Sequence, residues 1–233
     1  MQKLSLEEII NQDIRNFSHC QKHASCEDCE LQVCVMIVAI ADFPSYYGGD
    51  FQIIGFVNNK DNGEHIAIVK GDILNKENVL TRVHSACLTG DALGSLRCDC
   101  GPQLHTALTM IEDEKQGILL YMQQEGRGIG LINKLRAYAL QDEGFDTYDA
   151  NVVLGFKPDQ RDYEVAGEIL SKLGVKSIRL ITNNPEKVKQ LGNIIKINER
   201  VPIELPPTQF NLEYYQTKQK RFGHYLSIHT RNF

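Results

Sequence analysis

Nowhere in this chain of 233 residues does an apolar run exceed the nine residues of Val33–Ala41. Crossing a bilayer takes roughly 20. The opening MQKLSLEEII puts acidic side chains where a secretion leader carries positive charge. These two absences predict a cytosolic protein without a membrane partner. A basic excess is missing as well: 30 Asp and Glu outweigh 25 Lys and Arg, for a net charge of −5. That balance argues against a nucleic-acid partner held through its phosphates. It still permits a local Lys/Arg cluster around one small phosphorylated ligand. Internal repeats and low-complexity tracts are absent, and an apolar fraction of 42% suits an ordinary globular core. The seven cysteines are odd in number, which disfavours a disulfide framework in a cytosolic chain. They form two groups, Cys20, Cys26, Cys29 and Cys34, then Cys87, Cys98 and Cys100. Metal binding is the first expectation for both.

Residues 1–42 read as a Cys/His-rich appendage and 43–233 as the main domain. Ser5 and Glu8 form a capping-box pattern before Ile9 and Ile10, and Val33–Ala41 reads as a strand. Phe43–Gly49 is turn-rich and reads as the joint. Strands are predicted over Phe51–Val57, His65–Lys70 and Val79–His84. From Gly101 the pattern alternates. Helices are expected over Gln103–Lys115, Gly130–Glu143 and Glu164–Leu173, with strands at Ile118–Met122 and Ile178–Thr182 and a short helix after Pro185. The fold class this implies is α/β (α+β mixed): a mixed sheet with antiparallel N-terminal strands and flanking helices.

Cys87-x10-Cys98-x-Cys100 is the strongest local signal. Three thiolates hold Zn2+ and leave a fourth tetrahedral position for water, as in a catalytic site. The competing readings are buried thiols, or a structural site completed by a ligand such as His84. Arg82, His84, Ser85, Asp91, Ser95, Arg97 and Asp99 crowd the cysteines with polarity that a structural knuckle does not need. Further on, Gln123–Leu131 is a glycine-rich turn between a strand and a helix, where backbone N–H groups and Arg127 suit an anion. Glu125 has the two acceptor oxygens that match the N1–H and amine of guanine. Thr182–Lys187 again joins a strand end to a helix, either facing a ligand or simply capping the helix through Asn183 or Asn184.

Taken together, RVHSACLTGDALGSLRCDCGPQL, QQEGRGIGLINKLRAYALQDEGFDTYDAN, LGFKPDQRDY and LITNNPEK closely resemble GTP cyclohydrolase II over residues 82–187. The resemblance implies hydrolysis of GTP to a diaminopyrimidine ribosyl phosphate with release of formate and pyrophosphate, the first committed step of riboflavin synthesis. It implies that Cys87, Cys98 and Cys100 bind a catalytic Zn2+ whose water attacks C8 of the guanine. By the same resemblance Arg82, Val83, His84, Ser85, Ala86, Gln103, Glu125, Gly126, Arg127, Thr147, Thr182 and Lys187 bind GTP. Tyr138 assists the chemistry at C8, Asp159 is the general base, and Arg161 acts at the α-phosphorus. Mg2+ on the triphosphate and a homodimer are also implied. A guanidinium has no free lone pair, so a phosphate clamp suits Arg161 better than a nucleophile.

Two features depart from the family pattern. Ala86 stands where an acidic residue follows RVHS. The appendage adds Cys20-x2-His23-x2-Cys26-x2-Cys29, a ligand set for a second, structural Zn2+ or an iron–sulfur centre, against the alternative of free thiols. Residues 1–34 carry three Lys/Arg against six Asp/Glu, which disfavours DNA binding there. Alternatives to the full reaction are a paralogue giving a partial or different ring-opening product and a catalytically weak zinc-containing GTP sensor.

Overall fold

A computed structural model describes residues 8, 10–13, 33–61 and 63–227. Cys20, His23, Cys26 and Cys29 lie outside the described residues. Seven strands form one sheet in the order β1-β2-β3-β5-β4-β6-β7. They are β1 (Val35–Ser45), β2 (Gly48–Asn58), β3 (His65–Lys70), β4 (Val79–Ser85), β5 (Gly117–Met122), β6 (Ser177–Ile181) and β7 (Lys196–Val201). Pairing is antiparallel from β1 through β3 to β5, and parallel among β5, β4, β6 and β7. The sheet is therefore mixed, with its antiparallel strands at the N-terminal end, as the strand-then-alternation pattern implies.

The turn-rich Phe43–Gly49 segment is a hairpin inside the sheet, with Ser45 opposite Gly48. Consequently the expected boundary at residue 42 falls within β1, and residues 35–42 belong to the sheet. The N-terminal helical residues also touch the main body. Ile10 is 2% exposed within the larger core. Asp13 accepts the Ile37 N–H at 3.1 Å and the Lys172 ammonium at 2.9 Å.

Helices cover both faces. Period-two alternation along β5 sends Ile118 and Leu120 into the core that includes Ile169 and Leu170, and Leu119 into the one that includes Ala107, Leu108 and Ile111. The first of these faces carries α5 (Glu164–Lys172) and the second α2 (Cys100–Glu114). Between β4 and α2 lies a single turn, α1 (Leu88–Asp91). Between β5 and α5 come a 3-10 turn over Glu125–Gly128, α3 (Leu131–Asp142) and α4 (Thr147–Val153). The chain then adds α6 (Pro185–Gly192), and α7 (Leu212–Phe222) is the last element among the described residues. Expected and observed elements agree within a few residues. At the α2 end, left-handed Lys115 (φ 59°) closes the helix and Gly117 already belongs to β5.

From β4 the chain moves to β5 on one side and later to β6 on the other. That change of direction beside β4 is where parallel sheets place ligands, at the carboxyl ends of the strands. Leu119 sits under this arrangement and is fully buried. Leu119→Ala is expected to cost about 2–5 kcal/mol, read as a lower urea midpoint with an unchanged m-value.

Candidate active site

The carboxyl ends of β4, β5 and β6 deliver Arg82–Cys87, Gln123–Arg127 and Thr182–Lys187 to one cleft, closed over by α3, α4 and α7. Its empty volume, open mouth included, is about 1210 Å³. Arg82, Arg97, Arg127, Lys134, Arg161, Lys187 and Lys218 line it, against the carboxylates of Asp99 and Glu125. A chain with a net negative charge thus concentrates positive potential at one place, where a polyanion would be drawn in.

Cys87 ends the β4 turn and caps α1, while Cys98 and Cys100 flank the residue that caps α2. The three ligand sulfurs lie within 4.8 Å of one another. Thiolates about 2.3 Å from a tetrahedral zinc sit about 3.8 Å apart, and the Cys87 and Cys98 sulfurs are 3.8 Å apart. Charge points the same way. Hydrogen bonds from Cys100 and Cys98, with Lys134 alongside, hold the Cys87 thiol far below its ordinary range. Cys98 is helped by Cys100, but Cys87 and burial push it up to about 11, and Cys87, Cys98 and burial likewise raise Cys100. Repulsion lets one of three neighbouring thiols ionise easily, and a divalent cation is what allows all three. The residues present fit zinc.

Asp91 organises this corner. Its carboxylate accepts the Cys87 N–H at 2.9 Å, the Tyr121 hydroxyl at 2.9 Å and lies 3.0 Å from His84 Nε2. His84, with its Nε2 on Asp91 and its ring stacked on Tyr121, does not join the sulfur cluster. Gly90 packs directly beneath the thiols: a Cβ there would meet the sulfurs of Cys98 at 2.7 Å and Cys87 at 3.1 Å. Tyr138 reaches the cluster through Thr89, whose hydroxyl lies 3.3 Å from the Tyr138 oxygen and 3.7 Å from the Cys87 sulfur.

Arg82 is buried and donates to the Ile181 carbonyl at 2.9 Å and to Gln103 at 2.6 Å, and its Nε has no partner. Lys187 donates to the Val83 carbonyl at 2.6 Å. Burial, then repulsion from Arg82 and Arg161, pushes the Lys187 ammonium well below the usual lysine range. Val83 itself points into the core, so its carbonyl rather than its side chain serves the site. Arg161 is locked onto Asp159, its Nε at 2.9 Å from Oδ1 and its NH2 at 2.5 Å from Oδ2. Burial works against ionisation of Asp159, yet the adjacent guanidinium holds this carboxyl below its ordinary value. Asp159 meets the cleft through Arg161, which lines it.

In the glycine-rich turn, Gly126, Arg127, Gly128 and Gly130 all have left-handed φ values. For Arg127 (φ 60°) this is a conformation that L side chains rarely adopt. The N–H groups of Gly126, Gly128, Ile129 and Gly130 are bonded within the turn. The turn therefore presents a cation rather than a row of free amides: the Arg127 guanidinium lies 4.2 Å from the Phe222 ring centre and its buried NH1 has no partner. Glu125 is also engaged. Oε1 accepts from the Gly126 N–H at 2.7 Å and Lys134 at 2.8 Å, and Oε2 accepts the Leu88 N–H at 2.6 Å. Ser85, Ala86, Thr147 and Thr182 also line the cleft, and the Ala86 N–H is spent on the Met122 carbonyl at 2.8 Å.

Lys134, Tyr214, Lys218, Phe222 and His224 also face the cleft and were not anticipated from the sequence. Lys134 is four residues before Tyr138, so helical spacing was a usable signal. Lys218 bonds Asp99 at 2.6 Å, across 119 residues, for which no local pattern exists. Burial, then repulsion from Lys218 and Arg161, drives His224 down to about 3, so it stays neutral beside these cations.

Gly90→Ala is expected to displace the sulfurs and weaken metal affinity on the order of 10–100-fold while the far-UV circular dichroism stays native. Chelator competition measures it, and native affinity would show that the glycine is not what shapes the cluster.

Residues 36–202 match the sequence pattern of the family described as GTP cyclohydrolase II. Proteins named riboflavin biosynthesis protein RibBA from Bacillus cytotoxicus and Bacillus cereus are each 58% identical to the chain over 181 residues, 77% of its length and 46% of theirs. The RibBA protein of Bacillus mycoides matches to the same extent. The chain thus spans about half the length of these relatives. A solved structure of RibBX, a two-domain 3,4-dihydroxy-2-butanone 4-phosphate synthase from A. baumannii, aligns over 82% of this chain and 44% of that one, at 16% identity and a TM-score of 0.41. The extent of the family match, together with the cysteine cluster inside it, means that the chain belongs to the GTP cyclohydrolase II family.

Proposed function

We propose that this chain hydrolyses GTP, opening the guanine imidazole ring with loss of C8 as formate and releasing pyrophosphate, as the entry step of riboflavin synthesis. The observation that carries the reading is a thiol triad at zinc spacing on the wall of a strongly cationic cleft, inside the family match. Cys87, Cys98 and Cys100 would hold Zn2+, which supplies Lewis acidity for hydrolysis at C8.

The remaining roles belong to the chain. Arg82, Arg161 and Lys187 repel one another when no anion is between them, and a triphosphate, carrying Mg2+, relieves that repulsion. Arg127, stacked on Phe222, adds a further guanidinium. Tyr138, linked through Thr89 to the sulfur cluster, is placed to hold or pass a proton near C8. Asp159 keeps Arg161 charged and oriented, which suits a clamp at the α-phosphate. Guanine selection falls to Glu125, whose Oε2 carries a single donor and so retains acceptor capacity. The assembly is proposed as a homodimer, for which the exposed Leu93, Leu96 and Ile132 provide apolar surface. Among the described residues no helix is long and apolar enough to cross a membrane.

Incubation with GTP, Zn2+ and Mg2+, with products identified by mass, tests the reading. Formate, pyrophosphate and the diaminopyrimidine are expected from the native protein, and none of the ring-opened product from Cys98→Ser. GTP binding without formate release would instead indicate a sensor. Retention of formate with a different pyrimidine would indicate a paralogous reaction.

Two substitutions probe the substrate contacts. Glu125→Gln should lower kcat/KM for GTP by about 1.5–3 kcal/mol and erode the preference over ATP. An intact preference would place base recognition elsewhere. Arg161→Lys should keep measurable pyrophosphate release, since the charge remains and only the planar fork is lost. A nucleotide adduct mapped to Arg161 by mass spectrometry would overturn the clamp.

A further inference from the structure

Lys134 has no part in the phosphate or ring-opening roles assigned above, yet it sits where they meet. It lies on α3 one turn before Tyr138, with its side chain 9% exposed. Its ammonium donates to the Cys87 sulfur at 3.0 Å and to Glu125 Oε1 at 2.8 Å. The same carboxylate accepts, through Oε2, the N–H of Leu88, the residue next to Cys87. Four groups thereby close a small ring: the Cys87 sulfur, the Lys134 ammonium, the Glu125 carboxylate and the backbone that carries Cys87. The backbone of the glycine-rich turn is drawn against this ring as well, since a Cβ on Gly126 would lie 3.1 Å from the Lys134 Cβ.

A buried ammonium is costly to desolvate and is retained only where anions compensate it. If Lys134 merely filled space, a methionine of similar length would serve without that cost. Its two partners are instead the thiol that would bear charge on a metal and the carboxylate proposed to face the base. The ammonium also lies 5.8 Å from the ring centre of Tyr138, in the cleft that both residues line.

We infer that Lys134 is a positioning residue that couples the Cys87 thiolate to Glu125, withdrawing charge from the metal-bound sulfur while fixing the orientation of the carboxylate. This rests on the reading of the cysteines as metal ligands. An N–H···S bond lowers the donor strength of a thiolate, so the metal beyond it stays more electron-poor. The same proton donor fixes the Glu125 rotamer, so that metal site and base site are set together by one side chain.

The test uses the full chain loaded with Co2+ in place of Zn2+, read by the thiolate-to-cobalt charge-transfer band and by chelator competition. Lys134→Met is expected to move the band to longer wavelength and, because the thiolate regains donor strength, to tighten metal binding in the chelator competition. Lys134→Arg, which keeps the charge and N–H donors, should bring band position and affinity back toward native. A folded Lys134→Met protein with the native band and native affinity overturns the inference. Should that variant not fold, Glu125→Gln decides: the band should shift although Glu125 makes no contact with the sulfur itself, and an unmoved band refutes the coupling. Absence of any charge-transfer band in the native protein would instead remove the metal reading itself, and this inference with it.

Discussion

The parallel alignment of β4 between β5 and β6 is the constraint on which the cleft depends. In parallel neighbours all carboxyl ends emerge on one edge of the sheet, so segments separated by 39 to 104 residues arrive side by side. Arg82 bonds the carbonyl of Ile181, and Lys187 bonds the carbonyl of Val83, stitching β4 and the β6 end together across the cleft floor. These bonds place the cations without flexible linkers, because each is held from a strand end or the helix that follows it. The antiparallel part, β1 to β3, broadens the sheet and buries one side of β5.

Charge is the second organising force. Outside the cleft the protein is acidic, and within it Lys and Arg outnumber carboxylates. The few carboxylates in the cleft or just behind it are each tied to a cation. Asp99 holds Lys218, Asp159 holds Arg161 and Glu125 holds Lys134. Those pairs keep side chains oriented, and the unbalanced remainder, Arg82, Arg127 and Lys187, is left with unsatisfied donors or mutual repulsion. Such a site is at its most favourable when an anion occupies it. The thiol triad poses the opposite problem, an excess of negative charge once ionised, which a divalent cation resolves.

The C-terminal helix α7 is integral to this arrangement although it lies beyond the matched segment 36–202. Arg221 pairs with Asp146 and Asp149 at the start of α4, and Phe222 and Tyr214 flank Arg127. The helix therefore joins three regions of the chain over the cleft and supplies aromatic faces to a guanidinium that stands on a strained turn.

Short-range physics was readable in the sequence itself. The strand-forming runs His65–Lys70 and Val79–His84, the Asn184 cap before Pro185 and the helical period of Glu164–Leu173 all reflect interactions within a few residues, and each element formed close to its expected bounds. The close spacing of Cys98 and Cys100, with Cys87 eleven residues before Cys98, likewise marked the thiol cluster, because a chelate needs ligands near one another along the chain or in a tight turn. Tertiary structure alone decided the rest. That residues 35–42 are sheet rather than appendage depends on pairing with β2, and β7 gains its strand character from lying beside β6. Lys218 meets Asp99 across 119 residues, and the Glu125 oxygens are filled by the Leu88 N–H and by Lys134, contacts that no pattern along the chain encodes. Residue types and spacing determined which chemistry the chain carries; which of those groups are free to meet a substrate was settled by packing, since only a folded surface decides whose hydrogen bonds are already made.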